Sequence, residues 1–157
     1  MYYIKHDKLK ISIVFILLLL LNYCSFRSEP EKVWNIRSKI VTLTESLKGI
    51  PYRYGGFEID GFDCSGFVYY IYDSFGINIP RTAKKQGKIK ARVRFKSAKP
   101  GDILVFKIKR NRWHTGIYVN DKFFVHSPNG RGFVRREGYS KFWKKKLKYV
   151  ISILDDI

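Results

Sequence analysis

The sequence predicts an α+β fold in which helices come first and an antiparallel sheet follows. Two observations carry this. Apolar residues recur at three- and four-residue steps over Val33 to Lys48 and again over Phe67 to Phe75, as the buried stripe of a helix does. From Asp102 to Leu154 the chain instead breaks into short apolar and alternating runs, separated by turn residues such as Pro100-Gly101, Asn120-Asp121 and Pro128-Asn129-Gly130. Helices before strands is the order of an α+β domain. The length of 157 residues leaves room for one domain with its own core, and the 45% hydrophobic and 17% aromatic content argues against disorder despite a formal net charge of +18.

The first segment has the layout of an export signal. Lys5, Lys8 and Lys10 precede the apolar run Ile13 to Leu21, which is too short for a comfortable membrane span, and the chain turns polar after Cys24. Leu21-Asn22-Tyr23-Cys24 resembles a lipoprotein signal, in which the cysteine is lipidated and becomes the first mature residue; Tyr23 departs from the small residue expected before it. Ordinary cleavage nearby and an uncleaved anchor are the alternatives. The expected division is a signal peptide at 1–23, a tether at 24–32 and the domain at 33–157, with the product membrane-anchored in the cell envelope. Residues 1–23 carry three Lys and one Asp, so the basic excess belongs to the exported part. Such an excess suggests an anionic partner, whether nucleic acid, lipid head groups or envelope polymers, and charge alone does not choose among them.

The helix over 33–48 is expected to stop at Gly49, and Pro51-Tyr52-Arg53-Tyr54-Gly55-Gly56 to form a loop whose glycines let backbone approach a ligand closely. A second helix then opens on Cys64 and stops at Gly76. A thiol at a helix N-terminus faces unpaired N–H groups and the positive end of the macrodipole, which favour thiolate and lower its pKa. With Cys24 lipidated, Cys64 has no disulfide partner in an oxidising compartment; a Cys24–Cys64 bridge is the alternative. Beyond Gly76, Ile77 to Ile79 reads as a brief extended piece and Pro80-Arg81-Thr82 as the entry to a short helix ending near Gly87. Lys88, Lys90, Arg92, Arg94 and Lys96 alternate with Ile89, Ala91, Val93 and Phe95, the pattern of a strand with one basic face. Strands are expected over 102–108, 114–119 and 122–126 as a meander, then over 132–135 and 147–154, with a helical turn at 139–145.

His114 begins one strand of this meander and His126 ends the next, so a hairpin brings both imidazoles to the same end of the sheet. A cysteine peptidase needs a thiol, a histidine that shares its proton, and a polar group that fixes the histidine's tautomer. Cys64, His114 and His126 are candidates for these roles, whereas their spacing lacks the close pairs of a zinc site, and no metal or other cofactor is expected.

Six ordered stretches carry a resemblance: Tyr52-Arg53-Tyr54-Gly55-Gly56, Asp63-Cys64-Ser65-Gly66-Phe67-Val68, Pro80-Arg81-Thr82, Pro100-Gly101-Asp102-Ile103-Leu104-Val105-Phe106, His114-Thr115-Gly116-Ile117-Tyr118-Val119 and Phe124-Val125-His126. Together they resemble the NlpC-type bacterial cell-wall cysteine peptidases from about residue 33 onward. The resemblance implies a papain-like α+β fold and hydrolysis of the bond between γ-D-glutamate and diaminopimelate (or lysine) in peptidoglycan stem peptides. It implies Cys64 as nucleophile, His114 as base and His126 as orienting residue, with Tyr54, Asp63 and Ser65 lining the substrate pocket and Tyr54 helping the oxyanion. The expected partners are then stem peptides and anionic envelope polymers or lipids, not nucleic acid, and a monomer is expected. An acyltransferase using the same Cys/His pair on lipids, and a non-catalytic basic envelope-binding domain, are the competing readings.

Overall fold

Helix α1 (Glu31–Ser46) leads into a six-stranded antiparallel sheet by way of a small hairpin and a second helix. The structure is a computed structural model that describes residues 31–129 and 132–156. Residues 1–30, which hold the expected signal peptide over 1–23, Cys24 and most of the expected tether, lie outside the described residues, and the last two positions assigned to the tether begin α1. Among the described residues no helix is long and apolar enough to cross a membrane. The stripe read over 33–48 is real: Val33, Ile40 and Leu47 are buried, and the chain turns away at Gly49, whose φ of 92° is a left-handed conformation.

The loop of residues 51–56 leads into strands β1 (Phe57–Glu58) and β2 (Gly61–Phe62), a hairpin that the sequence reading leaves as loop. Helix α2 (Cys64–Asp73) follows at once, buries Phe67, Val68, Ile71 and Tyr72, and is succeeded by Gly76 at φ 71°. Ile77 to Ile79 is extended chain without strand pairing, and helix α3 (Ala83–Gln86) ends on Gly87 as expected.

The sheet runs in the order β3-β8-β4-β5-β6-β7. Its strands are β3 (Arg92–Val93), β4 (Ile103–Lys109), β5 (Arg112–Tyr118), β6 (Phe123–His126), β7 (Arg135–Gly138) and β8 (Leu147–Ile151). Strands β4 to β6 form the meander read from the sequence and β7 extends it, whereas β8 returns to pair with β4 on one side and β3 on the other. Helix α4 (Lys141–Lys146) sits where a helical turn is expected, immediately before β8.

Three strand assignments need correction. The strand expected over 147–154 ends at Ile151, because the chain turns into a 3-10 helix at Ile153–Asp156. The basic segment pairs only through Arg92 and Val93, because the chain turns into a 3-10 helix at Phe95–Ser97; the alternation of exposed basic and half-buried apolar residues still holds from Lys88 to Arg94. The strand expected at 132–135 lies instead at 135–138, since Val134 is drawn into the core and its N–H is bound by the Ile50 carbonyl at 2.8 Å.

Alternation along β4 sorts the interior into two layers. Ile103 and Val105 pack with Ile117, Val125, Ile151 and the buried faces of α1 and α2, while Leu104 and Phe106 pack on the other face with Phe124, Tyr118, Trp143 and Val150. An ion pair lies inside. The Arg37 guanidinium, buried on α1, donates to Asp102 Oδ1 at 2.8 Å, Asp155 Oδ1 at 2.7 Å, the Ser152 hydroxyl at 3.0 Å and the Pro100 carbonyl at 2.8 Å. Beside it the Tyr72 hydroxyl donates to the Gly101 carbonyl at 2.7 Å, tying α2 to the turn before β4.

Candidate active site

A cavity of about 1050 Å³ opens where the N-terminus of α2 meets the start of β5, and Cys64 and His114 both line it. Asp63 is the N-cap of α2: its Oδ1 accepts the Gly66 N–H at 2.6 Å and the Ser65 hydroxyl at 3.0 Å. The cap holds Cys64 in the first turn, and the half-buried Cys64 carries a free thiol. The helix is docked on the preceding loop so closely that a Cβ at Gly66 would land inside the Gly56 carbonyl oxygen. On the sheet side the Thr115 hydroxyl donates to the Cys64 carbonyl at 3.4 Å.

Strand register explains the histidine pair. Ile117 faces Val125 and Tyr118 faces Phe124, so His126 stands opposite Gly116 and lies diagonal to His114 on one face of the sheet. A side chain at 116 would block that diagonal: its Cβ would sit 2.8 Å from the Val125 carbonyl oxygen and 3.1 Å from His126 Cβ. With glycine there, His114 Nε2 and His126 Nδ1 approach to 2.7 Å, the rings nearly perpendicular at 88°. Phe106, Phe124 and Trp143 surround the two rings, and His126 is fully buried. Since Nε2 of His114 is taken by His126, Nδ1 is the nitrogen left for proton exchange with the cavity.

The electrostatics correct one expectation. The helix N-terminus is expected to lower the Cys64 pKa, yet burial pushes the thiol up, and the nearby Asp63 carboxylate adds to the rise. Backbone N–H groups of Thr115, Ser65 and Cys64 oppose this without prevailing. Burial likewise holds His114 well below its ordinary value of 6.5, helped by His126, and brings His126 down to about 3, helped by the Arg135 charge. Both shifts favour the uncharged forms, thiol and imidazole.

Tyr54, Asp63 and Ser65 all line the cavity. Tyr54 is 91% exposed at its lip. Asp63 and Ser65 are held inward by a residue with no role assigned from sequence: Arg81 donates to Asp63 Oδ1 at 3.0 Å and Oδ2 at 2.8 Å, to the Ser65 hydroxyl at 3.2 Å and to the Gly56 carbonyl at 3.0 Å. Arg81 thus binds the loop, the cap and the helix into one unit, and with the Gly66 N–H it keeps Asp63 below the usual carboxylate range although burial pulls the other way. The position of Arg81 in the Pro80-Arg81-Thr82 stretch was the available signal. Trp113, Phe142 and Trp143 complete an aromatic wall, with Lys84, Asn111 and Arg112 at the polar positions. None of these six had a local pattern to mark it.

A thiol capped on a helix N-terminus, sharing a cavity with a histidine that is itself hydrogen-bonded to a second histidine, is the constellation of a cysteine peptidase. Residues 49–152 match the NlpC/P60 family. The chain is 32% identical over 146 residues to "Probable endopeptidase NlpC" of Escherichia coli K12, a match spanning 87% of this chain and 95% of the relative. It is 31% identical to the "Murein DD-endopeptidase MepS/Murein LD-carboxypeptidase" of the same strain, over 71% of this chain and 60% of that one. It is 41% identical over 83 residues to the "Gamma-D-glutamyl-L-lysine dipeptidyl-peptidase" of Bacillus subtilis 168, which covers 51% of this chain and 28% of the relative. The crystal structure of an NlpC/P60 family protein from Bacillus cereus superposes with a TM-score of 0.70 at 26% identity, over 75% of this chain and 40% of that one. The chain belongs to the NlpC/P60 family and is a cysteine peptidase.

Proposed function

We propose that the protein is an exported, lipid-anchored peptidoglycan endopeptidase that hydrolyses the γ-D-glutamyl–diaminopimelate (or lysine) bond of stem peptides. The observation that carries the reading is the shared cavity of Cys64 and His114, backed by the 2.7 Å contact between His114 and His126. Relatives named as a probable endopeptidase, a murein endopeptidase and a γ-D-glutamyl-L-lysine peptidase support the substrate class. In this reading Cys64 Sγ attacks the amide carbon as His114 Nδ1 takes the thiol proton, a transfer that accompanies attack since both pKa shifts favour the uncharged forms. The Cys64 N–H at the open end of α2 and the Tyr54 hydroxyl receive the oxyanion. His114 then protonates the leaving amine, and a water deprotonated by the same nitrogen hydrolyses the thioester and restores the thiol. The basic face from Lys88 to Arg94 supplies attraction to anionic envelope polymers or lipids.

The test is mass spectrometry of products from L-Ala-γ-D-Glu-meso-diaminopimelate and from a D,D-cross-linked muropeptide, with Cys64→Ala as the inactive control. The expected product of the first is the L-Ala-γ-D-Glu dipeptide. Cleavage of the cross-link alone would reassign the bond and keep the peptidase. Transfer of an acyl group from lipid with neither peptide cut would overturn the proposal.

A further inference from the structure

The diagonal that joins His114 to His126 continues one strand further. Glu137 faces Phe124 across the β6–β7 ladder and so lies diagonal to His126 on the same sheet face, with Oε2 3.6 Å from His126 Nε2. That nitrogen is buried and has no hydrogen-bond partner within ordinary distance. Arg135 donates to the same Glu137 oxygen at 2.9 Å and 3.2 Å, which fixes the side chain of Glu137 and places a cation beyond it. The groups facing His126 are thus His114 from β5, Glu137 and Arg135 from β7, and the uncharged Trp143 from α4.

Two proton arrangements satisfy the 2.7 Å contact between the rings. If His126 carries its proton on Nδ1 and donates to His114 Nε2, then His114 carries its own proton on Nδ1 and has no lone pair for the thiol. His126 would also turn a buried Nε2 lone pair toward a carboxylate. If His126 carries its proton on Nε2 instead, that N–H points its positive end at Glu137, Nδ1 accepts from His114 Nε2–H, and His114 Nδ1 is left with a lone pair. We infer that Glu137 is a positioning residue: its carboxylate selects the Nε2–H tautomer of His126, which in turn sets His114 in the form able to receive the Cys64 proton. This rests on the reading of Cys64 and His114 as nucleophile and base, and it makes β7 part of the catalytic apparatus although it contributes nothing to the cavity wall.

The experiment reads the tautomer directly. Long-range proton–nitrogen NMR of the full chain with labelled histidine is expected to show His126 as Nε2–H in the parent, a mixture in Glu137→Ala, and a return toward Nε2–H in Glu137→Gln, whose amide oxygen still accepts. In parallel, kcat of Glu137→Ala should fall by roughly 10- to 100-fold with KM little changed, less than the 100- to 10,000-fold range of a general base itself. Alkylation of Cys64 by iodoacetamide, followed on its own peptide, should slow with it. An Nδ1–H tautomer in the parent overturns the inference without any variant, as does an Ala variant that keeps both the parent tautomer and the parent alkylation rate. The tautomer and the alkylation are read without substrate, so a mistaken choice of scissile bond would leave them standing.

Discussion

Cys64 is a nucleophile candidate that gains its position from a helix N-terminus, while burial opposes the thiolate that such a position favours. This has a consequence for pH. In the proposed mechanism His114 must be neutral to accept the thiol proton, and its depressed pKa means that it stays neutral as pH falls below 6.5, becoming protonated only at lower pH. The acid limb of kcat/KM should therefore lie below the ordinary histidine range. Conversely, the raised Cys64 pKa predicts that ultraviolet thiolate absorbance, measured against Cys64→Ser, develops above 9.0 and is absent at neutral pH. An acid limb near 6.5 together with a thiolate signal at neutral pH would show a preformed ion pair in place of the neutral one. The positions of these residues were legible, Cys64 from its place before a helical stripe and the histidines from adjacent strands, although His114 lies two residues inside β5 and not at its start. The pKa directions were not, because burial depends on what the rest of the chain stacks over a position, and that information lies in contacts such as Trp143 on His114.

At the level of elements, the approach to α2 matters as much as the helix. Asp63 is at once the helix cap and the partner of Arg81, so the cap is fixed by a residue 18 positions away that enters ahead of α3. The two-pronged contact needs a planar fork, and lysine would supply a single point charge. Arg81→Lys should lower stability by about 1–3 kcal/mol through the unpaired oxygens and the Gly56 carbonyl it leaves behind. It should also loosen the 51–56 loop that carries Tyr54. Urea midpoints and peptide turnover test this together: unchanged values for both would mean that the Gly66 and Ser65 bonds suffice to hold Asp63. Long elements were readable from period and stop signals, as α1, α2 and the β4–β6 meander show. The shortest strands were not. The β1–β2 hairpin has two residues in each strand, and the basic edge has two paired residues where five alternating cations suggested more, since an edge segment keeps the strand pattern of burial without the ladder.

For the molecule as a whole, Arg37 is the joint between α1, the turn before β4 and the segment after β8. Its charge is buried against Asp102, whose carboxyl is pushed up by burial while Arg37, the Lys99 N–H and Ser152 pull it down. The hydrogen bonds around both groups hold the pair together. Removing one member strands the other, so Arg37→Met should cost about 3–5 kcal/mol in a denaturant titration. The double variant Arg37→Met/Asp102→Leu should recover part of that loss; no recovery would mean that Arg37 acts through its bonds to Pro100 and Asp155 alone. Nothing local announces this residue. It stands among the polar positions of an amphipathic helix, and only the return of β8 brings Ser152 and Asp155 against it.

That return has a further consequence, concerning time. Strand β8, the last in the chain, lies between β3 and β4, so neither of those strands has its full set of partners until residues 147–151 have been made. Trp143, which covers both imidazoles, arrives only a few residues earlier. A polypeptide still being elongated on the ribosome carries the thiol and the first histidine long before it carries the roof over them, and the machinery closes only as the final strand slides into the middle of the sheet.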